Sequence, residues 1–97
     1  MDEKHIMDVM ISGDLPSIYF NEFGVGISKN DVFILLRRNG KEEAILNASH
    51  IAVKSLANAL NQAISEFEVQ TKQKILISDE IEELMENETD ADDKQIA

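Results

Sequence analysis

VFILLRRNGKEEAILNASHIAVKSLANALNQAISEF, residues 32–67, reads as a strand, a two-residue turn, a second short strand and an amphipathic helix of about five turns. In the first strand Phe33 and Leu35 point to one side and Val32, Ile34 and Leu36 to the other, so both sides call for burial. Asn39-Gly40 is a strong hairpin signal, because both residues tolerate the positive φ of a type I′ turn. The return strand, residues 42–47, carries Ala44, Ile45 and Leu46. Ser49 stands where a hydroxyl can cap the first turn of a helix. Val53, Leu56, Leu60, Ile64 and Phe67 then recur at three and four residues, a stripe widened by Ala52, Ala59 and Ala63 that is expected to cover the sheet. On the opposite face Asn58, Asn61, Gln62 and Ser65 are polar but uncharged. Solvated helix faces usually carry charge and interface cores are depleted in it, so these four residues are a candidate self-association surface.

Upstream, residues 18–27 alternate as a strand with Tyr19, Phe23, Val25 and Ile27 on one face and Phe20, Gly24 and Gly26 on the other. Two glycines in a strand interior add nothing to packing and mark a place where another backbone or a helix approaches closely. Gly24-Val25-Gly26 lacks the third glycine and the following helix of a phosphate loop. Ser28-Lys29-Asn30-Asp31 supplies turn chemistry before the next strand, and residues 7–11 are expected to add an edge strand ahead of Ser12-Gly13-Asp14. The fold class expected is α+β: an antiparallel sheet of three to four strands covered by one long helix, plus a short C-terminal amphipathic helix. Because a strand apolar on both faces has only one long helix to cover it, Val32, Ile34 and Leu36 are further self-association candidates, and a homodimer or tetramer is expected.

A chain of 97 residues is one small domain at most, and such a chain buries only about 60% of its unfolded surface. There is no cysteine, so neither a disulfide framework nor a thiolate metal site compensates for a thin core. The start of the chain carries Asp2, Glu3, His5 and Asp8 rather than a basic stretch followed by an apolar one, which argues against a signal peptide. The longest apolar run, residues 32–36, falls far short of the roughly 20 residues that cross a bilayer. A soluble, cytoplasmic protein that does not meet a membrane is expected.

The formal charge of −10 is unevenly spread: residues 76–97 hold nine acids and one base, net −8, whereas residues 1–75 are close to neutral at −2. The division expected is therefore an α+β domain over residues 1–75 and an acidic segment over 76–97, made of a short helix at 78–88 and a disordered tail. Ser78 can cap that helix, Asp79 and Glu80 suit its positive end, and Ile77, Ile81, Leu84 and Met85 fall on one face. Such a stripe docks on its own domain, on a sister subunit or in a groove of another protein. Ile81, Leu84 and Met85, with Glu82, Glu83 and Glu86 setting specificity, are the candidate partner-binding residues.

Nothing in these residues specifies a reaction or a cofactor. The two histidines do not form a catalytic pair: His5 lies near the terminus, and His50 is a first-turn residue beside Ser49, where neighbours do not face each other. No enzyme activity is expected. Asp90, Asp92 and Asp93 offer oxygen ligands without the glycine and distant glutamate of a Ca²⁺ loop, so no metal site is assigned. Arg37, Arg38 and Lys41 at the hairpin tip are flanked by Glu42 and Glu43 in an acidic chain, which disfavours direct nucleic-acid binding.

Ser49 as cap, followed by Lys54, Leu56, Ala59, Leu60, Ile64 and the Phe67-Glu68 pair, after a strand with Tyr19 and a hairpin, resembles a family of small uncharacterised bacterial and archaeal proteins, a domain of unknown function. The likeness covers residues 18–75. In that family a proline follows the cap and a histidine comes soon after; here those positions hold His50 and Ala52. The order of strands and a long helix is also similar, at fold level, to the SecB-type export chaperone, which assembles through its sheets and helices. Two functions are expected from these readings: a self-associating adaptor or chaperone-like holder, or, as the alternative, an acidic decoy that mimics nucleic acid in a basic site on another protein.

Overall fold

In the structure, a computed structural model, the backbone is described for residues 1–96 and the side chains for residues 1–87. Helix α1 (Glu3–Ser12) precedes three strands, β1 (Glu22–Ile27), β2 (Asp31–Arg38) and β3 (Lys41–Ser49); helices α2 (His50–Thr71) and α3 (Ser78–Ile96) follow. The fold is α+β, with one antiparallel sheet in the order β1-β2-β3. The chain forms two compact units, Met1–Ala57 and Asn58–Ala97.

The β2–β3 hairpin closes through Asn39 and Gly40 at φ 52° and 84°, the two positive values of a type I′ turn, with Arg38 opposite Lys41. Pairing runs from Leu36 opposite Ala44 to Arg37 opposite Glu42, so Glu43 is an extra residue in β3, a bulge. β1 is shorter than the expected 18–27. Its ladder starts where the Asn21 N–H donates to the Arg37 carbonyl (3.0 Å), and β2 turns away into the hairpin just beyond, leaving Ile18, Tyr19 and Phe20 no strand to pair with. Ser28 closes the β1–β2 turn, its N–H donating to the Asp31 carbonyl and its hydroxyl accepting from the Asp31 N–H.

The edge strand expected at residues 7–11 is corrected: these residues lie in α1. Asp2 caps the helix, its carboxylate accepting from the His5 N–H at 2.8 Å, and Gly13 ends it in the left-handed conformation at φ 72°. The start signal, Asp2, and the stop signal, Gly13, were both present in the sequence, and together they outweigh the β-branched Val9 and Ile11 in a short apolar window.

α2 begins as the sequence suggests. The Ala52 N–H donates to the Ser49 hydroxyl at 3.1 Å, while the His50 Nε2–H donates to the Ser28 carbonyl at 2.9 Å, tying the first turn to the β1–β2 connection. Its far end is a Schellman closure: Lys72 adopts φ 56° without being glycine, and the Gln73 N–H reaches back to the Glu68 carbonyl. The Glu68 carboxylate then accepts from the Ile75 N–H at 2.7 Å, ordering the link to α3.

At the start of α3 the cap position belongs to Ile77 rather than Ser78. The Ile77 carbonyl takes the first helical bond from Ile81, and its N–H donates to Glu80 Oε1, three residues on, in half of a capping box. The backbone stays helical to Ile96, past the expected end at residue 88, since the intervening run contains no glycine or proline to stop it. No helix among the described residues is long and apolar enough to cross a membrane.

Candidate functional site

The register sorts the sheet into two faces. On one, Phe23, Val25 and Ile27 of β1 lie opposite Leu36, Ile34 and Val32 of β2, which in turn lie opposite Ala44, Leu46 and Ala48 of β3. On the other, Gly24 and Gly26 flank Leu35 and Phe33, whose β3 partners are Ile45 and Asn47. Both faces of the central strand are apolar, as the alternation of residues 32–36 requires.

Burial is concentrated on two side chains. Val32 is 6% exposed and Leu36 4%, and they are the only buried apolar residues among those described. Ile34 beside them is half-buried. The open surface of that face is carried instead by β1, where Phe23 is 68%, Val25 64% and Ile27 76% exposed, and by Leu46. On the second face Phe33 and Ile45 are exposed, and a Cβ added at Gly24 would meet nothing within 4 Å. Gly24 thus faces open space, whereas a Cβ at Gly26 would touch the Phe33 ring at 3.9 Å; among the described residues no helix or further backbone approaches Gly24 in the single chain.

The hairpin tip is latched to the start of β1. Asn21 and Asn39 exchange two hydrogen bonds, Asn21 Nδ2 donating to Asn39 Oδ1 (2.9 Å) and the Asn39 N–H donating to Asn21 Oδ1 (3.0 Å). The Gly40 N–H donates to the Glu22 carboxylate at 2.6 Å. The cations of the tip are engaged locally: Arg37 lies 3.8 Å from Glu42 and donates to the Gly40 carbonyl, and Arg38 lies 3.4 Å from Glu43. These pairs, each with one half-buried and one exposed member, leave less free positive charge for a phosphate backbone.

On α2, Leu56, Leu60, Ile64 and Phe67 are each exposed, so the stripe expected to be buried is open in the single chain; only Val53, in the first turns, is half-buried. Asn58, Asn61, Gln62 and Ser65 are exposed as well, and Ser65 borders a shallow depression lined by Glu68, Val69, Lys72, Gln73 and Lys74. On α3, Ile81, Leu84 and Met85 present an exposed apolar face with Glu82, Glu83 and Glu86 exposed around it.

Glu80 is the group whose acidity is visibly set by its surroundings. The Ile77 N–H, and then Lys74, whose Nζ is 3.4 Å away, hold its carboxyl below the usual glutamate range. Its partners are those of a helix cap, and it faces no nucleophile or metal ligand. Among the described residues no three His, Asp or Glu side chains gather around a point that could hold a metal; Asp90, Asp92 and Asp93 lie outside the described side chains.

What the arrangement can do chemically is bind by apolar area and by backbone edges. The feature that sequence reading alone underweighted is β1: its ladder of Phe23, Val25 and Ile27 carries more open apolar surface than the Val32, Ile34 and Leu36 row beside it. Comparison of the chain with protein-family models, with curated proteins and with solved structures finds no match to any of them.

Proposed function

We propose that the chain is a non-catalytic, self-associating protein-interaction module of the cytoplasm, an adaptor or chaperone-like holder that works as a homodimer or tetramer. The observation that carries this reading is the apolar surface left open: among the described residues only Val32 and Leu36 are buried apolar side chains, while Phe23, Val25, Ile27 and Leu46 on one sheet face, Phe33 and Ile45 on the other, the α2 stripe and the α3 face are exposed. Contiguous exposed apolar side chains of this kind mark surfaces that meet other proteins. Assembly hides part of that surface, and the remainder is the holding surface.

Size-exclusion chromatography with light scattering at micromolar concentration tests the assembly, with a dimer or larger particle expected; a well-folded monomer overturns it. Holding is tested by adding the protein to an unfolding client: suppressed aggregation that varies little with salt is expected, because the contacts are apolar.

A second reading, the acidic decoy, draws on the continuous helix of α3, which runs from Ser78 to Ile96 through the acidic part of the sequence. It makes the opposite prediction for salt. Binding to a basic partner should weaken steeply as salt rises and be lost when Glu82, Glu83 and Glu86 become lysine, whereas holding should survive both changes.

A further inference from the structure

We infer that two copies of the chain join through β1, antiparallel about a two-fold axis at Val25, so that two three-stranded sheets become one sheet of six strands. This rests on the self-association proposed above and says where it occurs.

The backbone supplies the first reason. The Ser28 N–H donates to the Asp31 carbonyl at 2.8 Å, which fixes the phase of the β1–β2 ladder. In an antiparallel pair the residues that exchange hydrogen bonds alternate. Counting back along the register, Gly26 and Gly24 turn their backbone groups toward Phe33 and Leu35, and Phe23, Val25 and Ile27 turn theirs to the open side. The residues with free donors and acceptors are therefore the ones with the most exposed side chains of that face.

The second reason is symmetry. A two-fold interface must be complementary to itself. The segment Phe23-Gly24-Val25-Gly26-Ile27 has the same pattern, apolar-Gly-apolar-Gly-apolar, read from either end. With Val25 opposite Val25 of the second copy, Phe23 lies opposite Ile27 and Gly24 opposite Gly26. Every apolar side chain then stays on one face, and every glycine on the other, across the junction.

The third reason is a contrast between the two edges. Natural sheets blunt their free edges with charge, proline or a bulge. β1 carries a single charge, Glu22 at its first residue, and no bulge, whereas β3 carries three charges, Lys41, Glu42 and the bulged Glu43, before its uncharged run 44–49. β1 is the edge left open for pairing, and its symmetry favours a second copy over an unrelated strand.

The absence of cysteine makes the test clean, since a single Val25→Cys introduces the only thiol. Hydrogen-bonded residues opposite each other in an antiparallel pair have Cα atoms about 5.5 Å apart, within disulfide range. Mild oxidation of the full chain should convert most of the Val25→Cys protein to a covalent dimer, with no change in mass by light scattering. Leu46→Cys, on the exposed side of β3, should remain unlinked under the same conditions. Val25→Pro removes the outward donor at a position where the β1–β2 ladder does not use it; it should reduce the particle mass while the far-ultraviolet circular dichroism is unchanged. If the particle stays multimeric with Val25→Pro and Val25→Cys does not link, the β1 junction is wrong and self-association stands. If the unmodified chain is a folded monomer, both fall. Should Val25→Pro unfold, the cysteine result decides alone.

Discussion

Gly40 is the residue whose replacement is simplest to interpret. It sits at φ 84° with its N–H on Glu22, and only the side chain of Arg37 is near the place of a Cβ. Gly40→Ala keeps the hydrogen bond and meets no clash, so its cost is conformational: about 1–2 kcal/mol, read as a lower denaturant midpoint at fixed protein concentration. Glu80 gives a prediction in pH. Its folded-state acidity is strengthened by the Ile77 N–H and Lys74, so the ionised form stabilises the cap of α3 at neutral pH. That contribution is lost as pH falls through the lowered pKa. Glu80→Gln should therefore reduce amide protection at Ile81 at neutral pH, and the difference from the unmodified chain should vanish in acid. A difference that persists in acid would mean that the side chain acts by packing rather than by charge.

At the scale of elements, α2 offers the sharpest contrast between what the single chain exposes and what its pattern demands. Leu60 is exposed in the chain, and an exposed leucine is normally replaceable within about 0.5 kcal/mol. If assembly buries the stripe, Leu60→Ala should cost about 2–3 kcal/mol, measured by chemical denaturation. The hairpin and the start of α2 were legible in the sequence because Asn39-Gly40 and Ser49 act locally: each needs only its neighbours to take up its conformation. α1 was less legible, since Met7, Val9 and Ile11 alternate like a strand, and the decision rested on Asp2 and Gly13 bracketing them. The start of β1 was not legible at all. It depends on where β2 runs out of partners, a fact about pairing that no window of residues 18–27 contains. For the site, alternation identified a two-faced strand correctly, but the same alternation could not say that neighbours would bury Val32 and Leu36 and leave Phe23, Val25 and Ile27 open. A pattern states what must be hidden; it does not say by what.

For the whole molecule, self-association through the exposed apolar side chains would tie folding to concentration. If no stable monomer exists, the melting temperature should rise as the protein is concentrated, whereas an independent monomer melts at the same temperature throughout. The Glu43 bulge then acquires a role that the lone chain does not reveal. Two copies joined at β1 would still have a β3 strand at each outer margin, and a straight margin there would recruit further copies without end. A bulge bends its strand and increases the local twist, and Glu43 places one at the hairpin end of each margin. If two copies do join at β1, deleting Glu43 should let the sheets grow into ribbons that bind amyloid dyes, and one inserted glutamate would then separate a particle of fixed size from a fibril.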